Sequence, residues 1–272
     1  MDELHAKLEA LKTRLHKLGS LAVAFSAGVD STFLLAVARE VLGEKLLAVS
    51  ASAPFVPQRE QEEAVRFCRE RGIAHLSVSV DMADIPHFAE NPPDRCYHCK
   101  KALFTRLKEE ASARGFSHLA EGSNLDDMGD YRPGLRAIRE LGVLSPLRGA
   151  GLTKNDIRLL SKEMGLPSWN KPSFACLASR FVYGESITPE KLERTEKAED
   201  LLLSLGFTQF RVRAHGDMAR IELLPEEMDR LFALSVLETV RSRLHALGFV
   251  YVSLDLDGYR SGSMNSSIQP VQ

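Results

Sequence analysis

Five consecutive apolar residues, Leu-Ala-Val-Ala-Phe at 21–25, run directly into Ser-Ala-Gly-Val-Asp-Ser-Thr at 26–32, after which apolar positions recur at 33, 34, 37, 38 and 41 before Gly43. A short unbroken apolar run suits a strand buried on both faces, and the i, i+3, i+4 recurrence marks a helix that stops at a glycine. The chain is thereby committed to a strand–turn–helix unit, the opening of a parallel sheet with crossover helices. In such sheets the turn lies at the carboxyl edge, where ligands bind.

In that turn Ser26, Ala27, Gly28 and Val29 would present backbone N–H groups toward an anion, aided by the helix dipole and the Ser31 and Thr32 hydroxyls. Gly28 permits close approach and unusual dihedrals. The Ala27 methyl is accommodated if that residue keeps negative dihedrals. A Walker loop is excluded, because no lysine follows the last glycine at the required spacing. The bland alternative is a strand–helix turn without a ligand.

The alternation continues along the chain. Residues 45–51 and 75–80 read as strands with a helix over 58–71 between them; 98–114 reads as a helix, 117–124 and 142–147 as a fourth and fifth strand, and 153–165 as a helix capped by Thr153. This predicts an α/β fold, a doubly wound parallel sheet covered on both faces. After about residue 184 the alternation stops. A helix opens at Thr188-Pro189, a hairpin spans 208–224, a long helix fills 226–247 and a last strand covers 249–256. That is a second, smaller α+β domain, giving domains 1–182 and 183–272 with an N-terminal helix over 1–19. Leucines 4, 8, 11, 15 and 18 form one stripe of that helix, suited to core packing or to a dimer seam.

The formal net charge is −2, so no global basic field recruits nucleic acid or an anionic membrane. No run of 18 apolar residues exists, and the first 20 residues are charged throughout, without the apolar core of a signal peptide. Four cysteines, at 68, 96, 99 and 176, are too few for a disulfide framework. A reducing, cytoplasmic compartment is the expectation. Cys68 shares an apolar stripe with Ala64 and Val65 and reads as packing.

Cys96 and Cys99 form a C-x-x-C spacing just before a helix, so both thiols can face one metal or each other. Structural zinc needs four ligands and only Cys176 and His98 could complete it, while a redox dithiol lacks the thioredoxin context. Three thiolates, from 96, 99 and 176, suit a [4Fe–4S] cluster with one iron left open.

The turn at 26–31 resembles the pyrophosphate loop (PP-loop) of the adenine nucleotide α-hydrolase superfamily, usually Ser-Gly-Gly-x-Asp-Ser, with Ala27 in place of a glycine. The resemblance implies ATP cleaved between its α and β phosphates, a magnesium ion placed with the help of Asp30, adenine held near Ser52, and Asn124 and Asp127 as the small-x-Asn-x-x-Asp element. Together with "EGSNLDDMGDYRPG", "ELGVLSPL", "LPSWNKPSFACLASR", "RVRAHGDMARIE" and "LDGYRSGSMN", residues 20–265 are similar to the LarE family. Those are ATP-dependent sulfur transferases acting on pyridinium-3,5-biscarboxylic acid mononucleotide, whose bis-thiocarboxylate product later receives nickel to become the cofactor of lactate racemase. The resemblance implies adenylation of a substrate carboxylate, then displacement of AMP by sulfur. In one branch of the family the cysteine matching Cys176 gives up its own sulfur and becomes dehydroalanine. Another branch carries an added C-x-x-C and a [4Fe–4S] cluster, and Cys96 and Cys99 liken this chain to that branch. Ser179, Arg180, Arg211 and Arg213 would hold the substrate phosphate, with Glu199 a further candidate and Tyr97 and His98 beside the pyridinium ring. Relatives form hexamers, so a homo-oligomer is expected, along with a sulfur donor.

Strand alternation by itself sends Arg211, Arg213 and His215 to one face, successive residues about 7 Å apart. That arrangement serves one bound anion or a solvated hairpin face equally well. Three rival functions use the same loop. A PP-loop tRNA thiolase needs a basic RNA surface or zinc knuckles, which this near-neutral chain does not show. A non-catalytic nucleotide-binding module needs neither three thiols nor Asp30. An amide-forming ATP pyrophosphatase would want an ammonia source, and no glutaminase domain is evident.

Overall fold

The computed structural model describes residues 3–129, 133–172, 174–260 and 262–263; Ser173 of the Cys176 motif and Ser261, Met264 and Asn265 of the last motif lie outside the described residues. The chain divides into two units, Met1–Pro86 with Asp94–Ser173, and His87–Pro93 with Phe174–Gln272. No helix among the described residues is long and apolar enough to cross a membrane.

In the first unit the order is α1 (Glu3–Leu18), β1 (Leu21–Ala24), α2 (Val29–Leu42), β2 (Leu46–Ser52), α3 (Gln58–Glu70), β3 (Ala74–Ser79), α4 (Arg95–Ser112), β4 (Leu119–Ala120), α5 (Gly134–Glu140), α6 (Pro146–Gly149) and α7 (Lys154–Glu163). The strands are parallel in the order β3-β2-β1-β4. Side-chain alternation explains the cover on both faces. Leu21, Val23, Leu46 and Ala48 join Leu11, Leu15, Phe33, Phe67, Ile157 and Leu160 in one core, whereas Ala22, Leu47 and Val49 join Leu107, Ala111 and Ile138 in another. The leucine stripe of α1 therefore packs into the first unit's own core, with Leu11 and Leu15 fully buried. Cys68 lies in the same core, and burial pushes its thiol up to about 12.

Two expected strands shrink. The fourth keeps only two ladder residues, because the chain leaves the sheet at Glu121. The fifth reduces to one bridge between Ala120 and Leu144. Pro146, lacking an N–H, opens α6 instead of extending the ladder. Thr153 caps α7 as its sequence suggests, accepting from the Asp156 N–H at 3.1 Å in a capping box.

The second unit holds α8 (Pro189–Ser204), β5 (Phe210–His215), β6 (Met218–Leu223), α9 (Pro225–Leu231), α10 (Leu234–Ala246) and β7 (Tyr251–Leu254). β5 and β6 form the expected antiparallel hairpin and β7 adds to β6 in parallel. The single long helix expected over 226–247 is two helices, interrupted where Ala233 takes an extended conformation. Residues well before the sequence-derived boundary belong to this unit. The Phe174 ring lies 5.8 Å from Phe210, and Asn91 donates its side-chain amide to the Val182 carbonyl at 2.7 Å.

Leu15→Ala should lower the stability of the first unit by about 2–5 kcal/mol, read as a reduced urea midpoint. An unchanged midpoint would contradict the packing of α1 into that core.

Candidate active site

Because the chain adds β2 and β3 on one side of β1 and then returns to place the parallel β4 on the other, the order of strand addition reverses between β1 and β4. The loops leaving these two strands stand side by side at the switch point, where open α/β sheets bind ligands. The first loop is pinned by its own hydroxyls. Ser31 Oγ accepts from the Ser26 N–H at 3.3 Å, lies 3.1 Å from Ser26 Oγ and donates to the Gly28 carbonyl at 3.3 Å. The side chains of Val29, Ser31 and Thr32 are buried, so α2 offers its N-terminal backbone, with Ser26 exposed at the rim.

Backbone geometry corrects the reading of two loop residues. Ala27 has φ 54°, in the left-handed region, where its methyl was expected to require a negative value. Gly28 has φ −77° and ψ 167°, extended backbone that any residue adopts. A Cβ there would meet Ser26 Oγ at an ordinary 3.4 Å, so the freedom this glycine offers is close approach of a ligand.

The second loop reaches the first through Gly122, where a Cβ would stand 3.0 Å from the Ser31 N and 3.3 Å from Asp30. It is held by Glu121, whose buried carboxylate accepts from the Ser123 N–H at 2.9 Å and from the Ser123 and Ser145 hydroxyls at 2.7 and 2.5 Å. Asn124 then donates to Asp30 Oδ1 at 3.4 Å, and its own N–H donates to Asp127 Oδ2 at 2.9 Å. Asp127 therefore shapes the turn that presents Asn124. Ser52, the last residue of β2, is half-buried at the same edge and its carbonyl accepts from the Val80 N–H at 2.9 Å.

Two lysines at this edge had no distinguishing signal in the sequence. Lys154, the first residue of α7, donates to Asp30 Oδ2 at 2.5 Å. Lys171 donates to the Ala27 carbonyl at 3.1 Å and pairs with Glu63 of α3. Asp30 supplies one carboxylate, which fits magnesium held partly by water and substrate phosphates.

α4 begins at Arg95, earlier than the sequence suggested, so Cys96 and Cys99 occupy its first turns, with Cys96 half-buried and Cys99 buried. Spaced by three, they are neighbours on the helix surface. Beside them the Tyr97 hydroxyl and the Lys101 ammonium donate to Glu140 at 2.8 and 2.7 Å. The Arg136 guanidinium covers one face of the Tyr97 ring at 4.2 Å, and His98 lies 3.3 Å from Asp94. Lys101, then Arg136 and Tyr97, hold the Glu140 carboxyl down to about 2. Among the described residues, no three His, Cys, Asp or Glu side chains gather into a preformed metal group.

In the second unit Cys176 is exposed at the head of a 3-10 turn over Leu177–Arg180. Arg180 builds that turn. Fully buried, it pairs bidentately with the buried Glu199 at 2.8 Å and donates to the carbonyls of Ala175 and Cys176 and to Ser179 Oγ at 2.8, 3.2 and 2.8 Å. Burial would raise the Glu199 carboxyl, but the Arg180 charge and hydrogen bonds, with Arg211 and the Val212 N–H, hold it below its ordinary value.

Arg213 pairs bidentately with Glu222 at 2.9 Å and donates to the Ser179 carbonyl at 2.7 Å. Arg211 lies over the rings of Tyr259 and Phe174 at 4.9 and 5.6 Å; burial, then the nearby Arg180 charge, lower it to about 10. Arg211 and Arg213 are thus neither a solvated face nor bare phosphate ligands. With Arg180, Glu199 and Glu222 they form a buried ionic frame under Ser179 and Cys176.

Ala27→Gly should stabilise the protein by about 1 kcal/mol, by removing the left-handed alanine, measured by denaturant unfolding; a destabilised variant would contradict that geometry. Glu199→Gln leaves Arg180 buried without its counter-charge and should cost about 3–5 kcal/mol. A lowered carboxyl stabilises fully above its ordinary value of 4.5 and loses that contribution as pH falls through the folded value. Wild-type stability should therefore fall on acidification in that range, with a shallower slope in Glu199→Gln. Equal slopes would show that Glu199 is not the group titrating.

No protein-family model matches the chain. Sequence comparison finds an uncharacterized protein of Synechocystis, 42% identical over 262 residues, or 96% of this chain and 98% of that one. The pyridinium-3,5-bisthiocarboxylic acid mononucleotide synthase of Lactiplantibacillus plantarum is 37% identical over 273 residues, covering 100% of this chain and 98% of the synthase. A glutamine-hydrolyzing GMP synthase chain of Thermoplasma volcanium is 28% identical over 203 residues, 68% of this chain and 63% of that one. On the full-length likeness to the bisthiocarboxylic acid mononucleotide synthase, the chain belongs to the LarE family of PP-loop, ATP-dependent sulfur transferases.

Proposed function

We propose that the chain adenylates the carboxylates of pyridinium-3,5-biscarboxylic acid mononucleotide with ATP and replaces carboxylate oxygen by sulfur, a step toward the nickel-binding cofactor of lactate racemase. The observation that carries the sulfur step is the exposed Cys176, fixed at the head of a turn by Arg180. The synthase of Lactiplantibacillus plantarum bears a name for the corresponding product.

A substrate carboxylate oxygen attacks the α-phosphorus, pyrophosphate leaves, and the carboxyl carbon acquires AMP as its leaving group. The N–H groups at the head of α2 and the Lys154 ammonium stabilise charge on the departing phosphates. Magnesium, with Asp30 as one ligand, would share that task. Ser52 borders the adenine, and Asn124 and Asp127 order the loop opposite. Ser179, Arg180, Arg211, Arg213 and Glu199 belong to the substrate's phosphate-binding region; burial lowers Arg211, and a nearby phosphate would favour its charge.

Two sulfur sources remain in this reading, each with an observation behind it. In the first, the Cys176 thiolate displaces AMP to give a thioester. A base then takes the Cys176 Cα proton, its electron pair forms the Cα=Cβ bond, and the Cβ–Sγ bond breaks to leave a thiocarboxylate and dehydroalanine. The exposure of Cys176 favours this route. In the second, Cys96, Cys99 and Cys176 would hold a [4Fe–4S] cluster, which would supply sulfide that is not the protein's own. The pairing of Cys96 and Cys99 on adjacent turns of α4 fits two of its three ligands. Self-association belongs to the same proposal, consistent with exposed Phe232, Leu234, Tyr251 and Leu256 in the second unit.

Protein prepared anaerobically, with ATP, magnesium and the biscarboxylate, tests the reading. Cys176→Ala should release pyrophosphate yet form no thiocarboxylate; thiocarboxylate from that variant would overturn the role of Cys176. Cys96→Ala separates the sources. Retained transfer, limited to one sulfur per chain and leaving the protein lighter by one hydrogen sulfide, assigns the sulfur to Cys176, and lost transfer at unchanged mass assigns it to the cluster.

A further inference from the structure

One link of the phosphate loop depends on a residue far away in the chain. Before it, the Ser26 N–H is taken by Ser31; after it, the Gly28 carbonyl accepts from the Thr32 N–H at 2.9 Å and from Ser31. Between them lies the Ala27–Gly28 peptide, whose carbonyl accepts from Lys171 Nζ at 3.1 Å. The C=O and N–H of a planar trans peptide point opposite ways. Holding the Ala27 carbonyl toward Lys171 therefore turns the Gly28 N–H to the other side of the backbone.

Gly28 does not select this orientation by itself. Turning the peptide over rotates ψ of Ala27 together with φ of Gly28, which is −77°. Glycine adopts the resulting positive φ about as readily, so Gly28 leaves the choice to Ala27 and to the partner of its carbonyl. Lys171 is well placed to decide the matter. Glu63 grips its ammonium, and Arg158 of α7 donates to the Lys171 carbonyl at 3.0 Å and to the Trp169 carbonyl at 2.9 Å. Both the backbone and the tip of Lys171 are thus anchored to helices of the first unit.

The geometry points to Lys171 as a positioning residue for the phosphate loop: it selects the orientation of the Ala27–Gly28 peptide in which the Gly28 N–H serves a phosphate oxygen of ATP. This rests on the reading of the loop as the ATP site. ATP affinity of the wild-type protein is measured first, by calorimetry with magnesium; no binding there would overturn the loop reading and this inference with it. Lys171→Met should then weaken ATP binding about ten- to a hundredfold, the loss expected for one charged hydrogen bond. KM for ATP should rise by more than kcat falls, Lys171→Arg should recover most of the loss, and the crystal structure of Lys171→Met should show the 27–28 peptide turned over. Wild-type affinity in Lys171→Met overturns the inference. So does weakened binding with the peptide unmoved, which would make the lysine a direct ligand of the nucleotide. Should Lys171→Met fail to fold, Glu63→Gln carries the test in the same direction with a smaller loss, and unchanged ATP affinity there counts against it.

Discussion

The contact between the heads of two loops at the sheet's switch point is the constraint on which the rest of the first unit depends. β1 and β4 are neighbours only because the strand order reverses there, and Gly122 lets the second loop approach within reach of Ser31 and Asp30. Asp30 is then shared by Asn124 and Lys154, from two other stretches of chain. A carboxylate fixed in this way at the start of a helix, beside a lysine and backbone N–H groups, is organised before any nucleotide arrives. Such preorganisation is what lowers the cost of charge developing on a leaving pyrophosphate.

The second unit meets a different problem, which is how to hold an exposed thiol still. Cys176 sits at the head of a short 3-10 turn. Order comes from beneath, where Arg180 spends its donors on Glu199, on Ser179 and on the carbonyls of Ala175 and Cys176. A buried ion pair of this kind adds little net stability over an apolar pair but tolerates few alternatives, since either partner left alone is strongly destabilising. Arg213 and Glu222 repeat the arrangement under the Ser179 carbonyl. The frame thus exchanges hydrophobic packing for a fixed backbone under Cys176.

Much of this was legible from the residues themselves. The apolar run at 21–25 and the small-residue turn after it announced the sheet, the helix and the loop at the carboxyl edge, and the Thr153 cap and the Thr188-Pro189 start located two helices. Other features were hidden for identifiable reasons. A lysine after a cap, or before a proline, reads as surface, so Lys154 and Lys171 gave no sign of their partners. Alternation assigned Arg211 and Arg213 to one face but carried no information on whether that face is covered. The left-handed Ala27 breaks the local preference of its residue type, and a single bridge replaced an expected strand because Pro146 ends the ladder.

The central claim is that this loop cleaves ATP between its α and β phosphates to activate a carboxylate. Isotope exchange measures it most directly, with labelled pyrophosphate, ATP, magnesium and the biscarboxylate mononucleotide incubated with enzyme that cannot complete sulfur transfer. Reversible adenylation predicts label entering ATP only when the biscarboxylate is present. Formation of ADP and orthophosphate, with no label in ATP, would contradict the account.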